Sequence, residues 1–416
     1  MYITRIHLKN IRCFEEIEID LKAESDVRKW AVILGNNGVG KTTLLRSIAV
    51  GLCDRLGAPG LIGDLPGEWV RKGSKDGMGT IEIELKDPER SRPVTTKLTI
   101  QNSDGHETIA NFDSTIKGSN DRVIFVCAYG AGRGVMGTRD YPKYRIVDSV
   151  YTLFDYESNL QNPELTLRRI QSGGVNIEEI LESIDKILML RPGSTNLGTS
   201  GITISGPWGK FMPLGQVGDG YKSTLTWVTD FLGWAMFYQG DVLKREELAG
   251  IVLMDELEQH LHPSWQRKII NLLHHQFPHT QFIVTSHSPL CASGLADLPD
   301  ENCRLVGFER AGEESLVTNY NILPLRGLRA DQVLRTRAFG LPETRNPEIQ
   351  KKLEEFQILL LKDPLNESEK VKLKELRKII EEDIPGLAES EEDRALERQL
   401  SMRLLERDDR SGGGKK

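Results

Sequence analysis

The clearest chemistry in the chain lies at Gly35-Asn36-Asn37-Gly38-Val39-Gly40-Lys41-Thr42, followed by Thr43. Glycine at both ends of a short loop, then lysine and a hydroxyl residue, is the spacing of a loop that wraps phosphate. The glycines let backbone N–H groups point at phosphate oxygens, and the start of the following helix adds partial positive charge. Lys41 is predicted to reach the β- and γ-phosphates of ATP, and the Thr42 hydroxyl to sit on Mg²⁺. A second pattern lies downstream, where the apolar run from Gly250 ends in Asp255-Glu256. Asp255 is expected to hold Mg²⁺ through water, and Glu256 to polarise the attacking water as general base. His287 follows the next apolar run, Gln281 to Thr285, where a neutral imidazole could touch the γ-phosphate and sense hydrolysis. His260 and His262 stand two apart with no third ligand at a helical offset, which argues against a metal site. They read instead as part of a dimer-facing loop.

These groups need rigid elements behind them. Ala31 to Leu34 read as a buried strand, and Leu44, Leu45, Ile48 and Leu52 repeat at helical spacing. Strand, glycine loop and helix is the context a phosphate loop requires. Alternation around Asn10-Ile11-Arg12 predicts two strands within residues 1 to 21. Residues 57 to 79 read as a long loop, and Thr80 to Leu85 with Val94 to Ile100 as a hairpin turning at Asp87-Pro88. A short buried strand is expected over Val123 to Cys127. It empties into Tyr129-Gly-Ala-Gly-Arg133, where Arg133 either neutralises phosphate or is a solvated loop cation. Residues 146 to 190 read as a helical insertion with a capping box at Asn176 to Glu179. Ile202 to Ser205 and Lys210 to Met212 form a hairpin, and Asp219 to Tyr238 a buried helix. Cys303 to Phe308 and Ser315 to Tyr320 close this part as strands. The remainder is helical. Ile349, Leu353, Phe356 and Leu360 share a face, Asn366 to Glu369 cap a second helix, and Ser390 to Asp393 a third. The expected domains are therefore a head over 1–325, a helical appendage over 326–410 and a flexible tail over 411–416.

Composition sets the bounds. The chain has 416 residues, is 38% hydrophobic and 28% charged, and carries a net charge of −7. This is ordinary for a soluble globular protein, and no apolar run reaches the ~18 residues of a membrane span. The N-terminus has no signal-peptide core. The five cysteines are widely spaced, form no C-x-x-C pair, and fit a reducing cytoplasm. The acidic balance argues against a surface that binds nucleic acid throughout, although a local basic groove is compatible with it.

Phosphate loop, long insertion, Gly218-Asp219-Gly220, Asp-Glu and then His is the motif order of ABC-type ATPases. In this order the sequence resembles the ABC-like heads of the RecF, SMC and OLD families over roughly residues 1 to 325. Asp255 to Pro263 and Thr285 to Pro289 look most like the RecF/OLD branch. The resemblance implies an α/β fold: a P-loop ABC-type ATPase head with an antiparallel β subdomain and a helical insertion, plus the C-terminal helical appendage. It implies a head-to-head dimer, or a higher oligomer, in which Gly218, Asp219 and Gly220 of one copy contact the γ-phosphate held by the other. It also implies that Arg12 approaches the phosphates. Two departures bear on hydrolysis rate: glycine stands at 218 where the pattern usually has serine, and the loop after Tyr129 lacks the usual glutamine.

The segment from Arg329 to Leu341 is similar to bacterial anti-phage ATPases, above all the ATPase subunit of the Septu system. That resemblance implies a partner nuclease of the HNH type, encoded separately. No strand ending in Asp-x-Asp follows His287, so a nuclease of its own is not expected. The leading reading is thus a cytoplasmic ATPase that gates a partner nuclease. The alternative is a RecF-like ATPase that clamps DNA in repair or chromosome maintenance. A transporter subunit and a slow nucleotide-dependent assembly protein are weaker readings.

Overall fold

The computed structural model describes residues 1–383 except 25, 64–68, 88–92, 116–123, 134–135, 138–140, 142, 241–242, 244–246, 313, 321–322, 342–345 and 363. The chain divides into two compact units, Met1–Gly340 and Leu341 onward.

The first unit is built on a six-stranded sheet. Its members are β3 (Trp30–Gly35), β7 (Val126–Tyr129), β11 (Gly250–Met254), β12 (Thr280–Ser286), β13 (Cys303–Ala311) and β14 (Glu314–Tyr320), in the order β14-β13-β3-β12-β11-β7. All neighbours are parallel except β13 with β14. Register lines up the carboxyl ends: Met254 lies opposite Tyr129 and Val284, and Ser286 lies opposite Leu34. Loops carrying chemistry therefore leave one edge of the sheet together, where open α/β sheets bind their ligands.

Strand alternation splits the interior in two. Val32, Leu34, Val252, Met254, Phe282 and Val284 face one core, while Ala31, Ile33, Ile251, Leu253 and Ile283 face the other. Period-2 geometry sends successive side chains to opposite faces, so a strand covered on both sides reads as an unbroken apolar run. The second core is closed by an antiparallel sheet, β2-β1-β4-β5-β6, made of β1 (Tyr2–Ile11), β2 (Phe14–Asp20), β4 (Met78–Lys86), β5 (Val94–Ser103) and β6 (His106–Ser114). Helix α1 (Lys41–Leu52) shares that core, and it buries Leu44, Leu45, Ile48, Ala49, Val50 and Leu52. A helix covered nearly all round shows little polar face. Truncating one of its leucines to alanine costs about 2–5 kcal/mol.

Onto the first core pack α4 (Pro163–Ser172), α5 (Ile177–Ile187) and the long α6 (Asp219–Tyr238). The same core takes α8 (Ile269–Gln276), α9 (Pro289–Leu295) and α10 (Ala330–Leu334). The shorter α2 (Ala58–Gly63), α3 (Ile146–Val150) and α7 (Pro263–Gln266) complete the head with a small sheet of β8 (Thr195–Gly198), β9 (Gly201–Gly206) and β10 (Gly209–Pro213).

Several expectations are corrected here. Residues 57 to 79 are not all loop, since α2 and the buried Trp69 and Val70 belong to the second core. The strand expected over Val123 to Cys127 runs from Val126 to Tyr129, because its pairing with β11 starts at Val126; Val123 lies outside the described residues. Strands β6 and β8 were not foreseen. β6 is an edge strand with little burial, so its sequence lacks a clear apolar alternation. The head continues past 325: Val333 is buried in its core, with Ala338 and Phe339 packed against it. The Pro88 of the predicted turn, the helix predicted from Ser390 and the tail from 411 lie outside the described residues.

The second unit is a helical hairpin of α11 (Pro347–Leu361) and α12 (Glu367–Asp383). Asn366 caps α12 reciprocally: its Oδ1 accepts from the Glu369 N–H at 2.9 Å, and the Glu369 carboxylate accepts from the Asn366 N–H at 3.1 Å. Phe356 and Leu360 of the predicted stripe pack with Leu376 and Ile380, with Leu353 and Leu373 alongside. Most of the stripe is therefore covered within the hairpin itself, while Ile349 is only half-buried. Ile358, Leu361 and Val371 remain exposed.

Candidate nucleotide-binding site

A cleft of about 440 Å³ opens at the carboxyl edge of the central sheet. Arg12, Asn37, Gly38, Gly40, Lys41, Thr42, Thr43, Asp255, Glu256 and His287 all line it. Residues chosen from four separate stretches of sequence thus meet at one place. Cys13 and Arg46 line it as well and were not foreseen. Arg12 and Cys13 form the two-residue turn between β1 and β2, where Ile11 pairs with Phe14. Arg46 stands one turn along α1 from Thr42, and its Nε donates to the Leu153 carbonyl at 2.8 Å.

The loop geometry follows from its glycines. Gly40 precedes α1 with φ +101°, and a Cβ there would stand 2.5 Å from Cys13 Sγ and the Phe14 ring. No other residue fits this left-handed, crowded position. Lys41 is 7% exposed, and its ammonium donates to the Gly35 and Asn36 carbonyls at 2.8 and 2.9 Å. Burial lowers its pKa, and the nearby carboxylates of Asp255, Glu256 and Glu258 oppose that shift. Val39 is buried and points into the second core.

The acidic pair is held firmly. Thr42 Oγ1 donates to Asp255 Oδ2 at 2.6 Å, and Thr285 Oγ1 donates to Asp255 Oδ1 at 2.5 Å. Both carboxylate oxygens are thereby oriented. The Thr285 hydroxyl also accepts the Glu256 N–H at 2.8 Å. Thr285 is a participant that motif reading missed; its only trace is a hydroxyl residue in an otherwise apolar buried strand. Glu256 has φ +49°, a left-handed conformation uncommon for a side chain of its size. The His287 N–H donates to Glu258 Oε1 at 2.5 Å, fixing the start of the loop that brings His287 to the cleft.

Arg133 corrects both expectations made of it. It is 2% exposed and absent from the cleft lining. Its guanidinium donates to the carbonyls of Asp255 at 2.6 Å, Glu256 at 2.7 Å and Leu257 at 3.3 Å. It neither faces solvent nor reaches a phosphate position. His262 caps α7, accepting from the Ser264 N–H.

Gly218, Asp219 and Gly220 do not line the cleft of their own chain. They form the start of α6, with Gly218 and Asp219 exposed. A Cβ on Gly218 would meet nothing within 4 Å, whereas one on Gly220 would stand 2.5 Å from the His260 carbonyl oxygen. The two glycines therefore do different work: Gly220 lets the loop of His260 pass, and Gly218 leaves the helix start bare.

The residues present suit a magnesium nucleotide. A loop whose Gly35 and Gly40 leave no room for a Cβ, an ammonium held by that loop's carbonyls and a hydroxyl–carboxylate pair of hard oxygen donors match what triphosphate and Mg²⁺ require. Fold and site together define a P-loop nucleotide-binding head.

Comparison with known proteins finds AAA-domain matches. A family model described as an AAA domain, putative AbiEii toxin, Type IV TA system matches residues 145–293, and another AAA-domain model matches residues 5–187. The Septu protein PtuA of Bacillus mycoides is 26% identical over 387 residues, which is 90% of this chain and 50% of that protein. The chain therefore spans about half the length of that relative. The Retron Ec83 probable ATPase of Escherichia coli is 40% identical over 74 residues, 18% of this chain and 14% of that protein. The solved SMC head domain from Thermotoga maritima aligns at 16% identity with a TM-score of 0.46, over 77% of this chain and all of that one. The chain is similar to AAA-domain proteins and, along most of its length, to the Septu protein PtuA. Proteins of this class bind nucleotide, typically with Mg²⁺. Among the described residues no helix is long and apolar enough to cross a membrane.

Proposed function

We propose that this chain binds Mg-ATP between Lys41, Thr42 and Asp255, dimerises head to head, and hydrolyses ATP slowly with Glu256 as general base. In the dimer the exposed start of α6 at Gly218 covers the nucleotide of the partner copy, and His287 senses its γ-phosphate. The cycle gates a separately encoded nuclease of the HNH type in cytoplasmic anti-phage defence, with DNA as a possible further ligand. The observation that carries this reading is the convergence of the phosphate loop, the acid pair and His287 on one cleft. The step from ATPase to defence is supported by the Septu relative, which aligns with 90% of the chain. The chain itself is expected to have no nuclease activity. Metal-dependent cleavage needs carboxylates converging on divalent ions beside DNA, and the hard-oxygen pair of the cleft is committed to the nucleotide.

The experiment is coexpression with the nuclease encoded beside it, followed by phage challenge and copurification. Lys41→Ala should abolish protection and ATP binding while leaving the nucleotide-free melting temperature nearly unchanged. Removing residues 341–416 should leave ATP turnover intact and weaken association with the nuclease. Protection that survives Lys41→Ala would contradict ATP gating. Metal-dependent DNA cleavage by the chain alone would contradict the division of labour.

A further inference from the structure

The Arg133 guanidinium is buried, yet among the described residues it forms no ion pair. Its partners are backbone carbonyls. Three of them belong to consecutive residues, Asp255, Glu256 and Leu257. The reason lies in the sheet. Pairing between β7 and β11 ends where the Asp255 N–H donates to the Tyr129 carbonyl, and the chain then leaves the sheet. Past that point the Asp255 and Leu257 carbonyls have no strand to pair with, the Glu256 carbonyl takes the Gln259 N–H, and a buried carbonyl left bare is costly. A planar guanidinium presents five donors in a fixed fork, here through Nη1 and Nη2, whereas an ammonium has three donors on one nitrogen. Burial pulls the Arg133 pKa down to about 10, with Glu258, Asp255 and Glu256 opposing the shift, so the group remains charged at neutral pH.

Glu256 is the residue this arrangement acts on. A left-handed backbone at a non-glycine residue is strained and persists only where its surroundings over-determine it. Here the Glu256 N–H is held by Thr285, and its carbonyl accepts from Arg133 and from the Gln259 N–H. Arg133 also borders a small gap beside Ser223, Thr224 and Trp227 of α6, the helix that starts at Gly218. It therefore lies between the helix expected to meet the partner copy and the backbone of the general base.

We propose that Arg133 is the positioning residue for Glu256, holding the left-handed backbone from which that carboxylate reaches into the cleft. This rests on the reading of Glu256 as general base. Arg133 touches no nucleotide atom, so its removal should change the rate of hydrolysis and not the affinity for ATP.

The test uses the full chain with Arg133→Lys, Arg133→Gln, Glu256→Gln and the double variant Arg133→Lys/Glu256→Gln. ATP affinity is measured by calorimetry and hydrolysis by single turnover, on samples whose melting curves show a folded state. Both Arg133 variants should bind ATP within about threefold of wild type. Arg133→Lys should hydrolyse roughly 10²-fold more slowly, the usual effect of misplacing a catalytic group by about 1 Å. Arg133→Gln keeps two planar amide donors without charge and should fall between Arg133→Lys and wild type. The double variant should be no slower than Glu256→Gln alone, because residues acting as a unit are not additive. The proposal is overturned if Arg133→Lys turns over normally, if affinity falls in step with rate, or if the double variant shows both losses multiplied. It is likewise overturned if neither Arg133 variant folds, since the residue is then a fold determinant. A wild-type chain that neither binds nor hydrolyses ATP removes the ATPase reading and this proposal together. An active wild type with an unaffected Arg133→Lys removes this proposal alone.

Discussion

The Thr42 hydroxyl donates to Asp255 Oδ2 at 2.6 Å, joining two motifs 213 residues apart in the chain. This contact sets the two oxygens expected to hold Mg²⁺ side by side. Thr42→Val keeps the shape and removes the donor. A hydrogen bond to a charged group is worth roughly 1.5–3 kcal/mol, so Mg-ATP affinity should fall about 10- to 100-fold. ATP measured in excess chelator should lose far less. Equal losses with and without Mg²⁺ would separate Thr42 from the metal.

The start of α6 offers a test of action between copies. Gly220 is the wrong residue to enlarge, because a side chain there collides with the His260 carbonyl of its own chain. At Gly218 a side chain has open space. Gly218→Arg should leave the melting temperature within a degree or two and leave ATP binding by the monomer intact. Turnover should fall at least about tenfold if backbone approach to a partner phosphate is blocked. Mixing it with Lys41→Ala should restore part of the turnover, since one composite site per heterodimer is then whole. Normal turnover by Gly218→Arg alone would rule out this helix start as the covering surface.

Much of the site was legible in sequence because its parts are runs of characteristic residue types. Gly35 to Thr42, the apolar strand ending in Asp255-Glu256, and His287 after the next strand each announce themselves, and the parallel register brings them to one edge. Thr285 and Arg133 were not legible as contributors. Thr285 acts through one hydroxyl on a carboxylate, and Arg133 through backbone carbonyls, which exist at every residue and leave no pattern. The division of each strand between two cores followed from alternation only once both covering layers were known. The stripe on α11 was read correctly as apolar, but its cover, Leu376 and Ile380 of α12, could not be paired from periodicity alone.

A buried acid makes stability depend on pH. Asp230, on α6, accepts from the Tyr129 hydroxyl at 3.0 Å and the Gln161 N–H at 2.9 Å, and burial raises its pKa from 3.8 to about 6. The folded state then holds this proton more tightly than the unfolded state. Between pH 4 and 6 the unfolded chain loses it first, so this group's contribution declines as pH rises through that window. Asp230→Asn retains an acceptor and carries no charge. It should flatten the pH dependence of the melting temperature between 4 and 6 relative to wild type, and keep the pH 7 value at or above wild type. An unchanged slope would show that Asp230 does not titrate there.

The most direct test of the central claim is the fate of bound ATP in Glu256→Gln. A positioned general base contributes about 10²–10⁴-fold. The variant should bind ATP with wild-type affinity, retain it unhydrolysed through gel filtration and elute as the closed dimer. Wild type under the same conditions should release ADP. If Glu256→Gln turns ATP over at the wild-type rate, or fails to bind it while folded, the cleft is not the hydrolytic site described here.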